Sequence, residues 1–250
     1  MKSNKDRIQE LKTNGYSLNF ETVFNLAFEN YKKIAVYAGL LLLVSILLFG
    51  ITTSIIVALT IGFGNLEAML KPENLDPKNF SDEFLAYYLV GSTLLSCLIS
   101  PFLAGFIKMA HCAQIDEEFH VSTVFKYYQF SYFKELFFAT LIITVLSLGF
   151  SSVLNLTGLP MLGFFGSLTI SLLSILTIPL IIFSNYTALE AVNTSFSLVS
   201  KQPLILFGLF IVSYLFCIVG FFFFIIGLFF TIPLMFSMYY AIYSSIISFK

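Results

Sequence analysis

The stretch TIPLIIFSNYTALEAVNTSFSLVSK, from Thr177 to Lys201, joins the end of a proline-bearing hydrophobic segment to an amphipathic helical pattern that ends on lysine. Its first four residues, TIPL, occur again at 231–234, and a looser form, ISPF, stands at 99–102. Three hydrophobic segments therefore carry a proline in a similar setting. We interpret the chain as a three-fold repeat of membrane hairpins.

The composition is that of a membrane protein. Of the 250 residues, 58% are hydrophobic and 11% are charged, whereas soluble domains have about 45–50% and about 25%. The net charge is −1 and the basic residues are dispersed, so the sequence gives no indication of a nucleic-acid partner. The three cysteines are far apart and form no CxxC pair, so we expect no disulfide framework.

Six apolar runs are long enough to cross a bilayer, since a helix needs about 17–25 residues to span about 30 Å. They lie within 34–63, 84–107, 136–154, 163–183 and, as two crossings, 204–249. The sequence therefore predicts an all-α polytopic membrane protein with six transmembrane helices in a single domain, 20–250. The last turn is expected between Gly220 and Gly227. Segment 1–19 is polar and lacks a signal-peptide pattern, so we expect it to be a retained tail.

The basic residues predict the orientation. Of the 13 Lys and Arg residues, only Lys71 and Lys78 lie in the connection between the first two runs. The other eleven lie in the N-terminal segment, the links 108–134 and 186–202, and the C-terminus. Positive residues favour the cytoplasmic side, so we expect both termini in the cytoplasm.

An amphipathic helix is predicted before each odd-numbered crossing. The three apolar stripes are Phe20, Val23, Phe24, Ala27, Phe28 and Tyr31; then Val121, Val124, Phe125, Tyr128 and Tyr132; then Ala188, Ala191, Val192, Phe196 and Val199. These stripes have helical spacing, and Lys33, Lys134 and Lys201 fall at equivalent positions. The repeats would be about 20–110, 119–186 and 188–250. Alternatively, amphipathic helices are common before membrane spans and the match arises by chance.

The prolines of the even-numbered spans predict kinks. Proline removes a backbone hydrogen bond and clashes with the preceding turn, and nearby hydroxyls can satisfy the freed carbonyl. Ser100 precedes Pro101, Thr177 precedes Pro179, and Thr231 precedes Pro233. Such kinks fit either a cytoplasm-facing crevice or a simple exit of the chain onto the interfacial helices.

Two groups of polar residues could carry chemistry. His111, Cys112, the acidic run 116–118 and His120 contain metal-ligand types, but their spacing matches no established metal motif, and a solvated link explains them as well. The Ser92, Ser96 and Ser100 stripe favours close helix packing over a role in lining a substrate path. We find no GxSxG, HExxH or phosphate-binding glycine loop. The sequence therefore predicts no catalytic site, no cofactor and no metal.

The chain resembles a bacterial group of six-span membrane proteins that includes the membrane domain of glycerophosphodiester phosphodiesterases and related uncharacterised integral membrane proteins. The residues that carry the resemblance are TIPL at 177–180, Tyr186, ALEA at 188–191, Ser195, Gly227, TIP at 231–233 and the tyrosines 239–240. The resemblance extends from about Phe20 to the end. It implies the six-span fold and a location in a bacterial inner membrane. Because it covers the membrane part alone, it implies no phosphodiesterase activity.

We expect a non-enzymatic membrane protein that binds lipid, or a second membrane protein, through its interfacial helices. The expected interaction surface consists of Phe20, Val23, Phe24, Phe28, Tyr31, Val124, Phe125, Tyr128, Val192 and Phe196. The alternative is a small permease for an apolar or uncharged solute. The lack of charged residues at mid-membrane depth weakens that alternative, because ion-coupled carriers place functional charges there. An intramembrane enzyme has the least support.

Overall fold

The computed structural model describes residues 4–62, 71, 80–223 and 226–247, and in these ranges the secondary structure is helical, with no strand. The α-helices are α1 Asn4–Asn14, α2 Phe20–Ile61, α3 Asp82–Gln114, α4 Val121–Phe125, α5 Phe130–Leu156, α6 Pro160–Leu173, α7 Thr177–Ser184, α8 Ala188–Val199, α9 Pro203–Phe221, α10 Ile226–Thr231 and α11 Pro233–Ile247. A 3-10 turn, Lys126–Tyr128, follows α4.

Six stretches of helix are long and apolar enough to cross a membrane. They are Phe20–Thr60, Asp82–Gln114, Phe130–Leu156, Pro160–Ser184, Pro203–Phe221 and Ile226–Ile247. The all-α prediction and the number of spans are therefore confirmed. The last turn also lies where the sequence predicts it, because α9 ends at Phe221 and α10 begins at Ile226. Gly220 and Gly227 face each other there with their backbones in contact, so a side chain on either glycine would collide with the other.

Segment 1–19, expected from the sequence to be a polar tail, contains helix α1. Its Ile8 and Leu11 are buried against the rest of the protein. The chain after α1 is held by Tyr16, whose hydroxyl donates to the Leu198 carbonyl over 2.8 Å, and by the Leu18 N–H, which donates to Gln202 over 3.0 Å. Burial raises the pKa of Tyr16 well above its usual range, so the hydroxyl remains a donor at any physiological pH. The N-terminal segment is thus attached to α8 and to the start of α9.

Helix α2 combines the first amphipathic segment and the first span in one uninterrupted helix of 42 residues. Asn19 caps its start by accepting from the Thr22 N–H over 2.9 Å, as expected for an asparagine N-cap. At 1.5 Å per residue the helix is about 63 Å long, about twice the hydrocarbon thickness. Near its middle, Gly39 contacts α10 so closely that a Cβ atom would lie 2.8 Å from the Phe229 carbonyl oxygen.

The three prolines have different local structures. Pro101 lies inside the unbroken helix α3. Pro179 is the third residue of α7, after a break at 174–176, and Pro233 begins α11 after a break at Ile232. The proline-bearing spans are therefore interrupted in two cases and continuous in one.

The hydrophobic core lies at one end of the bundle. It is formed by the C-terminal half of α3, by α7 and α8, and by α11, and it includes Phe106 stacked on Phe236 with ring centroids 5.0 Å apart. At the opposite end, long parts of α2 and α3 are not covered by other helices. From 44 to 60, no residue of α2 is buried, and from 82 to 96 no residue of α3 is buried. In a membrane these surfaces face lipid.

Candidate functional site

The ten residues of the expected interaction surface differ in burial. Val23, Val124 and Val192 are buried, Phe24, Phe28, Tyr31 and Phe196 are half-buried, and Phe20, Phe125 and Tyr128 are exposed. Because the three valines pack inside the protein, they contribute to the core and offer no surface to a partner. The exposed aromatic rings lie at the outer edges of the stripes.

The first amphipathic stripe forms a series of stacked aromatic rings along α2. Centroid distances are 6.4 Å from Phe20 to Phe24, 5.9 Å from Phe24 to Phe28 and 5.6 Å from Phe28 to Tyr31. Phe216 of α9 closes the series with an edge contact to Tyr31, 5.4 Å between centroids. The apolar surface of this stripe is therefore covered largely by contacts among its own rings and with α9.

The second stripe is attached to α3. The Phe125 ring lies 5.8 Å from that of Phe102, and the Tyr128 hydroxyl donates to the Leu98 carbonyl over 3.0 Å. Gly105 makes the contact possible, because any Cβ there would overlap the backbone of Val124. Helix α4 thus lies directly on α3, with Phe125 half exposed at its rim.

The third amphipathic segment, α8, is mostly internal. Seven of its twelve residues are buried. The Glu135 carboxylate of α5 accepts from the Ala188 N–H over 2.7 Å, and the Glu190 carboxylate accepts from the Thr187 N–H over 3.2 Å. The hydrogen bond from Thr187 lowers the pKa of Glu190. Two carboxylates therefore stabilise the start of α8, where unpaired N–H groups favour negative charge.

Ser195 of α8 bridges the break that precedes Pro179. Its hydroxyl donates to the Leu173 carbonyl over 2.6 Å and accepts from the Leu176 N–H over 3.1 Å. The break frees these backbone groups, and inside a bundle they need a partner. The sequence signal for this role is a serine on the apolar stripe, because Ser195 follows Ala188, Ala191 and Val192 at helical spacing.

An apolar groove lies between α6 and α9. Its volume is ≈ 390 Å³. It is lined by Phe165, Leu168, Thr169, Leu172, Phe207, Phe210, Ile211, Tyr214 and Leu215. The Thr169 hydroxyl already donates to the Phe165 carbonyl over 2.9 Å, so most of the lining offers only apolar contacts. We call this feature the α6–α9 groove.

A second cavity, of ≈ 370 Å³, lies at the proline-bearing part of the bundle, among α3, α5, α6, α7 and α11. Its hydroxyl-bearing lining residues are Ser96, Ser100, Thr140, Ser171, Ser174, Thr177 and Tyr239. The rest of the wall consists of Ile99, Leu103, Ala139, Ile143, Ile175 and Ile178. No charged side chain is among the described residues that line it. We call it the hydroxyl-lined cavity.

Thr177 differs from the other hydroxyls of this cavity. Its side chain is 1% exposed, and its Oγ1 has no hydrogen-bond partner in the described part of the chain. By contrast, Ser96 donates to the Ser92 carbonyl over 2.8 Å and Ser174 donates to the Ser171 carbonyl over 2.9 Å. Buried hydroxyls without a partner are uncommon in proteins, so Thr177 requires an explanation.

Four of the candidate metal ligands in the 108–134 link have protein partners: His111, Cys112, Asp116 and Glu117. His111 Nδ1 lies 2.7 Å from the Tyr240 hydroxyl, and the Cys112 thiol donates to Glu117 over 3.8 Å. Asp116 pairs with Lys33 over 2.5 Å. Among the described residues, no three His, Cys, Asp or Glu side chains are grouped so that they could hold a metal ion. The arrangement connects α3 to α2 and α11.

A further polar contact fixes α11 against α7. The Tyr243 and Ser184 hydroxyls lie 2.7 Å apart, and the Phe183 ring packs 5.2 Å from that of Tyr243. This contact and the His111–Tyr240 pair hold the last span at the well-packed end of the bundle.

No protein-family model, curated protein or solved structure matches this chain.

Proposed function

We propose that this protein binds lipid within the membrane and catalyses no reaction. The main support for this proposal is the α6–α9 groove, which is apolar, lies on the surface of the bundle and has the size of a ligand site. Its rim includes Phe165, Phe207 and Leu215, which are 57%, 47% and 55% exposed. A lipid acyl chain has the shape and the apolar surface to fill it.

The exposed edges of the amphipathic segments support the same proposal. Phe20, Phe125 and Tyr128 are exposed at the end of the bundle where the basic residues lie. Aromatic side chains are favoured at the headgroup level of a bilayer. We propose that these three rings seat the protein at the interface, while the groove holds the acyl chain. A second membrane protein in the groove is the other occupant to be tested.

We further propose the inner-membrane orientation with both termini in the cytoplasm. In support, two of the eleven counted basic residues, Lys33 and Lys108, come together at the 108–134 link through their ion pairs with Asp116 and Glu117. The opposite connection, with Lys71 and Lys78, lies mostly outside the described residues. The resemblance to the bacterial six-span group also remains part of the proposal.

The three-fold repeat also remains a proposal. In support, Val23, Val124 and Ala191 fall at equivalent positions of the three stripes and are 1%, 0% and 0% exposed. An experimental structure in which units 20–110, 119–186 and 188–250 fail to superpose would remove the repeat and leave the lipid proposal intact.

Lipid binding is tested by filling the groove. Leu168→Trp and Leu215→Trp together should lower the amount of lipid that remains with the protein after detergent purification, measured by mass spectrometry. The matched control is Leu47→Trp with Ile55→Trp, because these residues are 55% and 54% exposed on the outer part of α2, away from the groove. Equal lipid retention in both variants and the wild type would refute the proposal, and a retained membrane protein that only the groove variant loses would assign the groove to a partner.

The hydroxyl-lined cavity favours a second candidate function, a permease for a small uncharged solute. Such a solute needs polar contacts at membrane depth without charge, and seven hydroxyl-bearing residues line this cavity. Flux of radiolabelled glycerol into proteoliposomes, compared with protein-free liposomes, tests this function. Equal flux in the two preparations would argue against it.

A further inference from the structure

We propose that the hydroxyl-lined cavity is a second binding site, distinct from the α6–α9 groove, and that it takes an uncharged molecule that presents an ester carbonyl to Thr177. The unsatisfied Thr177 hydroxyl and the chemistry of the surrounding wall carry this inference.

The free donor of Thr177 has a structural cause. A threonine in a helix ordinarily donates to the carbonyl of the residue three or four positions earlier. For Thr177 that residue is Leu173 or Ser174, and the helix is broken at 174–176. Neither carbonyl accepts from the Thr177 hydroxyl. At the break the Leu173 carbonyl accepts from Ser195 over 2.6 Å, and the Ser174 carbonyl accepts from the Thr177 N–H over 2.9 Å. The hydroxyl is left without its local acceptor.

An unsatisfied buried hydroxyl is costly, because the group has lost its water without gaining a partner. A bound molecule that brings an acceptor oxygen removes this cost. A hydroxyl has a single O–H to donate, and this one has no acceptor among the described residues. A carbonyl, ester or ether oxygen would supply that acceptor, and an ester carbonyl is a stronger acceptor than an ether oxygen.

The residues that line the cavity indicate the charge and the polarity of the ligand. No Asp, Glu, Lys, Arg or His is among its described lining residues, and an uncompensated charge at membrane depth is costly. Aliphatic residues, among them Ile143, Ile175 and Ile178, form the remaining surface. The ligand is therefore uncharged, with an apolar body beside its ester. Diacylglycerol from the bilayer and a short ester from water share this chemistry.

The experiment compares an ester with its ether analogue. The full-length protein in nanodiscs is titrated with 1,2-dioctanoylglycerol and, separately, with 1,2-dioctylglycerol, which has the same chains but no carbonyl. Binding is measured by native mass spectrometry. We expect the diester to bind about fivefold more tightly, since one net hydrogen bond contributes about 1 kcal/mol. Triacetin, added from water, tests the second source: binding of triacetin without binding of the diester would assign the site to a water-borne ester.

Two variants locate the effect. Thr177→Val keeps the shape and removes the donor, so it should lower diester affinity about fivefold and leave the ether unchanged. It should fold normally, because no protein hydrogen bond is lost. Ser171→Leu narrows the cavity at an exposed lining position and should weaken both ligands. Thr169→Val, in the α6–α9 groove, is the matched control and should change neither affinity.

Three results would overturn the inference. Equal affinity for the diester and the diether in the wild type would show that no carbonyl is recognised. An unchanged diester affinity in Thr177→Val would exclude Thr177 as the donor. If none of the three probes binds, a water molecule satisfies the hydroxyl and the cavity is no ester site. None of these results depends on lipid retention in the groove, so the two proposals fail separately.

Discussion

Replacing Ser195 by alanine removes both hydrogen bonds that its hydroxyl makes across the break between α6 and α7. The Leu173 carbonyl and the Leu176 N–H then lose their partner, and Leu176 is fully buried. An unpaired buried backbone group costs about 1–3 kcal/mol. Because two groups are affected and the broken helix can relax slightly, we expect the free energy of unfolding to fall by about 2–4 kcal/mol.

The loss can be measured with the protein's own cysteines. Cys97 and Cys112 are buried free thiols, so a dye that fluoresces on reaction with thiols reports unfolding in detergent as the temperature rises. For chains of this size, 1 kcal/mol corresponds to about 2–4 °C in Tm. We therefore expect Ser195→Ala to melt at least about 4 °C below the wild type.

A matched control separates the bridge from a general effect of serine removal. Ser200 lies one turn further along, is exposed, and donates within its own segment to Phe196 over 2.7 Å. Ser200→Ala should shift Tm by less than about 1 °C, in keeping with surface substitutions. The interpretation of Ser195 as a bridge is refuted if Ser195→Ala and Ser200→Ala melt at the same temperature as the wild type.

Three other predictions concern packing, pH and topology. Gly105→Ala should destabilise the protein, because its Cβ would overlap the backbone of α4, whereas Gly91→Ala, in the same helix with no atom nearby, should leave Tm unchanged or raise it. Glu190 has a lowered pKa, so its stabilising effect is present above its ordinary pKa of 4.5 and is lost as the pH falls through the lowered value; the Tm difference between wild type and Glu190→Gln should shrink below pH 4.5. For the topology, single cysteines replace Glu73, which lies outside the described residues, and Glu117 in a cysteine-free background. A membrane-impermeant thiol reagent added outside intact cells should label the cysteine at position 73 and spare the one at position 117. The reverse pattern would show that the topology is inverted.

Features that depend on a long stretch of sequence could be predicted. The six spans follow from apolar run length, and the last turn follows from the glycines at 220 and 227, which interrupt an otherwise continuous run. Helix α1 could not be predicted in the same way, because its burial depends on only two apolar residues, Ile8 and Leu11, among charged neighbours. The apolar side chains of α1 can be recognised as buried only when the position of α8, which packs against them, is known.

The candidate site was less accessible to sequence reasoning. Thr177 is recognisable as a hydroxyl before Pro179, yet its lack of a partner depends on the helix break at 174–176 and on how the neighbouring helices pack there, which the sequence does not reveal. The amphipathic stripes were visible, but which edge of each stripe is internal depends on packing. Val192 is buried while Phe125 is half exposed, although the two residues fall at equivalent positions of the proposed repeat.

Helix α2 is one continuous helix that is held by close packing near its centre. It has 42 residues without a break, and near its midpoint Gly39 lies so close to α10 that a Cβ atom there would meet the Phe229 carbonyl oxygen at 2.8 Å. One arm is fixed at the packed end through Lys33 and Asp116, whereas the other arm has no buried residue from 44 to 60. A tilt of about 10° about this point would displace the end of the unburied arm by about 5 Å, given a half-length of about 31 Å. A change at the Lys33–Asp116 contact would therefore reach that end through one continuous helix.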